Sequence, residues 1–442
     1  MKKTLLRSAL LLLALTILMG AVSCANKGKT LLSLEKDGIE VTFSVNAYEL
    51  MLGRTKATLD SIQNVNEDDF WNSWIGSPAK TMDEHYRENI LESCKTSLIA
   101  LYLFEKEGLS LSESDEEEIE MLMDELIKTD GDGSKTKLNS VLATHGVNYN
   151  ILKDIYTMEA KIQKLQLHLY GEDGKLIGDD IKTSFLKENY VHYKQIYLPF
   201  TKFVYEKDTN KDEIYYKYEA DGKTLGKHIS YDTGNGAFKS DEKDANGDTV
   251  YYTDSTKAHV SYDKVNGGRM RATKADGSYQ TEVRTKEELE ALKAEKDSLI
   301  TLFSSPTTTT FDEKIEEIRY KYGLDAEQNT DGYYIRRMDY SQYGSSYAYL
   351  AETIEKCDAM KNGDVDVVES ASGYHVIQKC EFTEKAYDIE ANKKGWFENF
   401  NELLINELFS ELCQKHIDDV VVDEEVLALA PSMKEVAACY FY

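Results

Sequence analysis

Few side chains in this 442-residue chain stand at spacings that dictate a chemistry. Asp208, Asn210, Asp212 and Glu219 have the ligand spacing of a calcium loop. Glu213, however, fills the position that requires glycine, and no helix pair flanks the run, so no calcium is expected there. Asp130-Gly131-Asp132-Gly133 reads as a loop between helices. The cysteines Cys24, Cys94, Cys357, Cys380, Cys413 and Cys439 include no Cys-x-x-Cys pair, which removes a zinc ribbon or dithiol redox motif. Cys357 and Cys380 could pair only if their segments meet, and buried thiols are the default. No metal and no cofactor is expected. What remains is Cys24, which follows an apolar run and a short stretch of small residues, and His375 within Gly373-Tyr374-His375-Val376-Ile377. Taken alone, that histidine reads as a ring buried in a strand and satisfied by its neighbours.

Lys2, Lys3 and Arg7 precede the apolar stretch Ala9 to Met19, and Gly20, Ala21, Val22 and Ser23 follow. This pattern predicts a signal peptide over residues 1–23, its apolar core being shorter than the roughly 20 residues of a spanning helix. Ala21-Val22-Ser23-Cys24 resembles the bacterial lipobox, with Ala21 where leucine is usual. The resemblance implies a lipid on Cys24, a tether over 24–30, and an extracytoplasmic protein anchored to the outer face of the cell membrane. The formal net charge of −27 disfavours nucleic acid and anionic lipid as partners. It would suit a protein that must stay soluble while handling unfolded chains, although a solvated acidic surface explains it equally well.

The elements that must position these residues follow from periodicity. Two apolar runs between Leu31 and Val45 flank Lys36-Asp37-Gly38 and predict a hairpin, after which Ser44 or Asn46 can cap a helix. Helices are expected through Tyr86–Leu103, Ile119–Ile127, Tyr149–Leu169 and Asp179–Asn189, and a strand at Val191–Phe200. From about 206 to 284 the chain turns rich in Tyr, Thr, Lys, Asp and Gly. Ala220-Asp221-Gly222, Ala245-Asn246-Gly247 and Ala275-Asp276-Gly277 punctuate it, predicting irregular hairpins or a partly disordered segment. Helices resume at Thr285–Phe303 and Phe311–Tyr322. A possible strand at Tyr333–Met338, a helix at Leu350–Met360, a strand at Gly373–Phe382, one long helix from Lys394 to His416 and a short strand at Asp419–Val422 complete the order.

Without the insertion, the order from Val191 to Phe382 resembles that of a parvulin-type peptidyl-prolyl isomerase domain. Gly373-Tyr374-His375-Val376-Ile377 resembles the family's closing F-G-Y-H-I-I strand. Met360 to Val365 resembles its L-K-x-G-E-I turn, and Tyr320 to Asp325 its Y-S-x-D segment. With a helical N-terminal region and a final helix, the whole chain resembles a PrsA/SurA-like foldase. The resemblance implies an α+β protein: a helical chaperone region at 31–190, a parvulin-like α/β domain at 191–385 carrying the 206–284 insertion, and a C-terminal helix and tail at 386–442 packing on the N-terminal region.

Carried over by position, His375 matches the family's second histidine and Asp325 its acidic residue. The first histidine is replaced by Gln195, and His192 cannot stand in, because strand residues three apart face opposite sides. Tyr193, Tyr349 and Met360 are the expected lining of a proline pocket. The implied clients are unfolded exported polypeptides. Two outcomes stay open: an isomerase working through an altered network, or a holdase or scaffold that keeps the fold without catalysis. A third, from a different class, is a surface or wall-binding lipoprotein acting through the Tyr-rich insertion, although tyrosines in hairpins more often serve cross-strand pairing. Phe70, Trp71 and Trp74 could mark a client patch, but core packing is the commoner use of tryptophans near helices.

Overall fold

The computed structural model describes residues 28–441 except 63–64, 66–68, 77, 208–213, 219–224, 233–236, 244–248, 253–270, 325–330, 341–342 and 345–346. Cys24, Asp325, the Asp208–Glu219 run and the first two turn triplets therefore lie outside the described residues. The chain divides into two compact units, one running to Gly178 and resuming at Asn399, the other Asp179–Glu398.

The first unit begins with strands β1 (Thr30–Lys36) and β2 (Ile39–Ser44), paired antiparallel from Lys36↔Ile39 outward. Asp37 and Gly38 both have positive φ, 57° and 79°, the backbone a two-residue hairpin turn demands. Ser44 accepts a hydrogen bond from Ala47 N at 3.2 Å and so caps α1 (Val45–Asp60). A two-residue pair, β3 (Trp74–Ile75) and β4 (Lys80–Thr81), leads into α2 (Met82–Lys106), where Thr81 and Glu84 form a capping box. Helices α3 (Glu113–Thr129), α4 (Lys135–Leu142) and α5 (Tyr149–Tyr170) follow. Leu98, Ile99 and Tyr102 of α2 meet Leu152, Ile155 and Leu165 of α5 in one large core, which also takes Trp71. Trp74, by contrast, is exposed.

The second unit opens with α6 (Asp179–Asn189) and β5 (Tyr190–Pro199). A short hairpin pairs β6 (Thr201–Phe203) with β11 (Thr281–Val283). Between them, β7 (Ile214–Tyr218), β8 (Leu225–Asp232), β9 (Ala237–Lys243) and β10 (Thr249–Tyr252) form an antiparallel meander of consecutive neighbours. The chain continues through α7 (Lys286–Phe303), α8 (Phe311–Tyr322), β12 (Tyr333–Arg336), α9 (Ala348–Ala359), β13 (Val365–Glu369) and β14 (Gly373–Lys379). The main sheet is antiparallel in the order β12-β5-β14-β13. Alternate residues of β5 bury against different layers. Ile196 and Leu198 pack with Leu292, Leu299, Phe311 and Ile318 from α7 and α8. Val191 and Tyr193 pack with Cys357 of α9 and with Ile377.

The expected helix from Lys394 to His416 is two helices, α10 (Glu390–Gly395) and α11 (Phe400–Gln414). Gly395 is a poor helix former, and Trp396 and Phe397 both donate their N–H to Asn392 O, at 2.7 and 3.0 Å, closing the first helix. Their rings are used within the second unit, Trp396 against Tyr333 and Phe397 against Tyr190 and Tyr334. In the first unit, α11 contributes Phe409 and Cys413 to the core. Strand β15 (Val421–Val422) adds to β1, and α12 (Glu424–Leu427) precedes a tail that buries Met433, Val436, Cys439 and Phe441. The cysteines 94, 357, 380, 413 and 439 are all free thiols, so Cys357 and Cys380 are not bridged. Among the described residues no helix is long and apolar enough to cross a membrane, and no group of His, Cys, Asp or Glu is placed to hold a metal ion.

Candidate functional site

Register on the central strand pair determines the site. Because Ile377 lies opposite Gln195 and His375 opposite Tyr197, the side chains of Gln195, Tyr197 and His375 share one face. His375 Nδ1 stands 3.0 Å from Gln195 Oε1, and its Nε2 stands 3.0 Å from Ser370 Oγ, in the turn between β13 and β14. Both His375 and Gln195 are buried, 5% and 9% exposed, so the pair is closed to bulk water. An amide oxygen only accepts, so Nδ1–H donates to Gln195 and Nε2 is left to accept the Ser370 hydroxyl proton. This pattern needs a neutral ring. Burial agrees, lowering the His375 pKa to about 4.

Two tyrosines enclose the imidazole. Tyr349, near the start of α9, lies at 4.4 Å between centroids and 10° between planes, and Tyr197 at 4.9 Å and 27°. The Tyr197 hydroxyl donates to Ser372 O at 3.0 Å, fixing its ring. Burial raises the pKa of Tyr349, so its phenol stays protonated near neutrality. Around this stack lie Leu350, Ile354 and Met360, packed against Tyr193, Cys357 and Ile377. Met360 and Tyr193 contribute to this apolar layer, and Tyr193 is 1% exposed with its ring stacked on Tyr333 at 5.3 Å.

His192 belongs to a different network. Its ring stacks on Tyr334 at 4.1 Å, and Nδ1 and Nε2 each lie 2.6 Å from a backbone oxygen, of Glu381 and Asp331 respectively. The Asp331 carboxylate accepts from Tyr334, Thr383 and Asn392 at 2.5, 2.7 and 3.2 Å. Despite a desolvation cost from burial, those bonds hold its pKa below the ordinary value.

Sequence reasoning missed Tyr197 and Ser370. The first was within reach, since it shares the period-two face of Gln195. The second depends on how the Ser370–Gly373 turn closes, where Ser370 Oγ accepts from Gly373 N at 3.2 Å, and no local pattern signals that.

Chemically, the site is a neutral, pre-set hydrogen-bond chain beside an aromatic and aliphatic surface. It offers no activated nucleophile, since burial raises the pKa of Cys357 to about 12 and that of Cys380 above its ordinary value.

No protein-family model and no curated protein matches the chain. Among solved structures, the chain is similar to a peptidylprolyl isomerase (PrsA) from Bacillus anthracis, at 12% identity over 73% of this chain and 92% of that one, with a TM-score of 0.19. It is similar to PrsA from Bacillus subtilis at 13% identity, over 81% and 91%, with a TM-score of 0.17. A foldase protein (PrsA) from Lactococcus lactis matches at 12% identity over 91% and 97%, with a TM-score of 0.17.

Proposed function

We propose that this protein is an extracytoplasmic foldase, lipid-anchored through Cys24, whose parvulin-like domain acts on proline-containing segments of unfolded exported polypeptides. The observation that carries the reading is the His375–Gln195 contact across β5 and β14, with Ser370 on the far ring nitrogen. Prolyl rotation crosses a barrier of about 20 kcal/mol and is slow enough to limit folding. It needs no covalent step. A site that binds the twisted amide better than the planar one suffices, and a neutral hydrogen-bond chain against an apolar wall is suited to that. Asp325 is proposed as the acidic member of the set, with Tyr193, Tyr349 and Met360 lining the proline pocket. The residue ranges 31–190, 191–385 and 386–442 are proposed as the chaperone region, the isomerase-like domain and the closing helix and tail.

A second reading, a holdase without catalysis, is favoured by the aromatic stack. Tyr349 and Tyr197 cover both faces of His375, so a prolyl ring reaches the imidazole only if one tyrosine swings away. A protease-coupled assay on a proline tetrapeptide separates the two readings. Isomerisation above background that falls with His375→Ala supports the foldase with catalysis. Equal background rates, together with suppressed aggregation of an unfolded client, support the holdase. If the protein neither isomerises nor suppresses aggregation, both readings fail.

A further inference from the structure

In the first unit, residues 431–441 form neither helix nor strand. One turn interrupts them, where Ser432 O accepts from Glu435 N and Val436 N at 3.1 and 3.0 Å. The segment is nevertheless seated as deeply as a core element. Met433 and Cys439 are fully buried, and Val436 and Phe441 nearly so, while Lys434, Glu435, Ala437 and Tyr440 between them face solvent. Hydrogen bonds from α1 and from the first turn of α2 hold it along its length, and they end on its backbone. Met433 N donates to Asp83 Oδ1 at 2.6 Å. Lys56 Nζ donates to Lys434 O and Val436 O at 2.9 and 2.8 Å. Cys439 N donates to Gly53 O at 2.9 Å, and Arg54 Nε donates to Phe441 O at 2.5 Å.

The side chains of the segment supply shape: the four buried ones are apolar or a thiol, and the Phe441 ring meets the His145 ring edge-on at 5.7 Å. Main chain held by hydrogen bonds, with intermittent side chains in apolar seats, is the way proteins grip extended peptides of loosely defined sequence. The donors also demand an occupant. Arg54 and Lys56 are 4% and 8% exposed, and cationic groups at that depth need acceptors. Any chain offering carbonyls at the same spacing serves them as well as the resident one. Because the segment is bonded chiefly to α1 and α2, it can lift without breaking a helix or a strand.

We propose that the groove over α1 and the start of α2 is a polypeptide-binding site, in which residues 433–441 stand in for a client and are exchanged for one. The partner is an unfolded segment with apolar side chains at the spacing of Met433, Val436, Cys439 and Phe441. Asp83 and Gly53 O take its N–H groups, and Lys56 and Arg54 take its carbonyls. The resident segment competes, so the affinity a client experiences is reduced by the fraction of molecules whose groove is open. That the occupant is a client rests on the foldase reading, while the exchange itself is measured separately.

The test uses the full chain and an end-capped peptide of residues 432–441 carrying Cys439→Ser. Binding of its fluorescein-labelled form is followed by anisotropy at about 0.15 M salt, where surface attraction is screened. Displacement is followed on the natural chain by maleimide labelling of Cys439, with Cys94, fully buried in the same core, as the internal control. The expected result is saturable binding, with excess unlabelled peptide speeding the labelling of Cys439 several-fold and leaving Cys94 protected. N-methylation of the peptide at position 439 removes the donor to Gly53 O and should weaken binding at least about tenfold, a loss of about 1.4 kcal/mol or more. A second peptide, with the four seated residues kept and threonine elsewhere, should bind within a few-fold of the first. Cys439 labelling that ignores saturating peptide overturns the proposal, as does equal binding of the methylated peptide. A joint rise at Cys439 and Cys94 also overturns it, because the peptide would then be opening the whole core. So does a dimer in which each copy's segment fills the other's groove and peptide is excluded. If peptide displaces the segment while isomerisation and aggregation suppression are both at background, the foldase reading fails and the groove stands. If aggregation is suppressed while Cys439 stays protected, the groove fails and the foldase reading stands.

Discussion

Tyr349 lies flat on His375, with ring centroids 4.4 Å apart and planes 10° from parallel. The contact joins the first turn of α9 to the β14 strand and closes one face of an imidazole whose other face is covered by Tyr197. A substrate that needs this ring must displace a tyrosine. Tyr349→Leu removes the lid and keeps apolar character. The expected outcome is a rise of several-fold in kcat/KM on a proline tetrapeptide, with a His375 pKa, measured by NMR titration, that moves up from about 4 as the ring regains water. An unchanged rate with a raised pKa would place the limit on catalysis elsewhere than the lid.

The depressed His375 pKa also sets a pH dependence of stability. In the unfolded chain the ring protonates near 6.5, in the folded protein near 4, so the folded state binds the proton less readily. The contribution is fully present above about pH 6.5 and is lost progressively as pH falls through 4. Its size is about 3 kcal/mol, from about 1.4 kcal/mol for each unit of difference. Urea midpoints measured on the full chain at pH 7 and pH 4.5 should fall more for the natural protein than for His375→Gln, which cannot titrate. Parallel falls would contradict the assignment.

Gln195 offers a complementary change. Gln195→Ala leaves His375 Nδ1–H without its acceptor in a buried site, and the expected cost is about 1–3 kcal/mol of stability. Gln195→His restores two histidines facing each other across β5 and β14 and is expected to increase isomerisation. A denaturant titration checks the first and the protease-coupled assay the second.

How far the residues announced this arrangement depends on the range of the interaction. Gln195 and His375 were readable, because strand alternation fixes which side chains share a face once the two strands are identified. The β1–β2 hairpin was readable from Lys36-Asp37-Gly38, since only a few residues accept the positive φ of such a turn. The β13 strand was hidden: Val365-Asp366-Val367-Val368-Glu369 is short, and its pairing with β14 through Val367↔Val376 is decided by a neighbour distant from any local pattern. The break between α10 and α11 was hidden for a similar reason. The stripe through Trp396, Phe397 and Phe400 has helical spacing, but Trp396 and Phe397 gain more by packing on Tyr333 and Tyr334 than by continuing a helix through Gly395.

The first unit carries a buried ion pair with a measurable consequence. Arg54 Nη1 meets Glu159 Oε1 at 2.6 Å, with the two side chains 4% and 13% exposed, and Arg54 Nε donates to Phe441 O at 2.5 Å. Removing one partner strands the other charge in a low-dielectric interior, which typically costs about 3–5 kcal/mol. Glu159→Ala should therefore destabilise the protein far more than Glu105→Ala, whose partner Lys161 is part-exposed. Thermal or urea unfolding of the two variants side by side checks this, and equal effects would mean that Arg54 finds another carboxylate.

Gly53 sits inside α1, where replacing glycine by alanine ordinarily stabilises a helix by about 1 kcal/mol. Here the same change should act in the opposite direction. A Cβ at Gly53 would meet Ala437 O at 2.8 Å and Cys439 Cβ at 3.0 Å, because the C-terminal tail runs directly over the helix at this point. Cys439 N donates to Gly53 O at 2.9 Å, and Lys56 Nζ donates to Lys434 O and Val436 O at 2.9 and 2.8 Å, so the tail cannot move off without losing several bonds. Overpacking of this kind costs about 1–3 kcal/mol, which exceeds the propensity gain. Gly53→Ala is expected to lower the unfolding midpoint and to expose the buried Cys439 thiol to a thiol reagent faster than in the natural chain. A raised midpoint with unchanged thiol reactivity would mean that the tail yields to the methyl group at little cost.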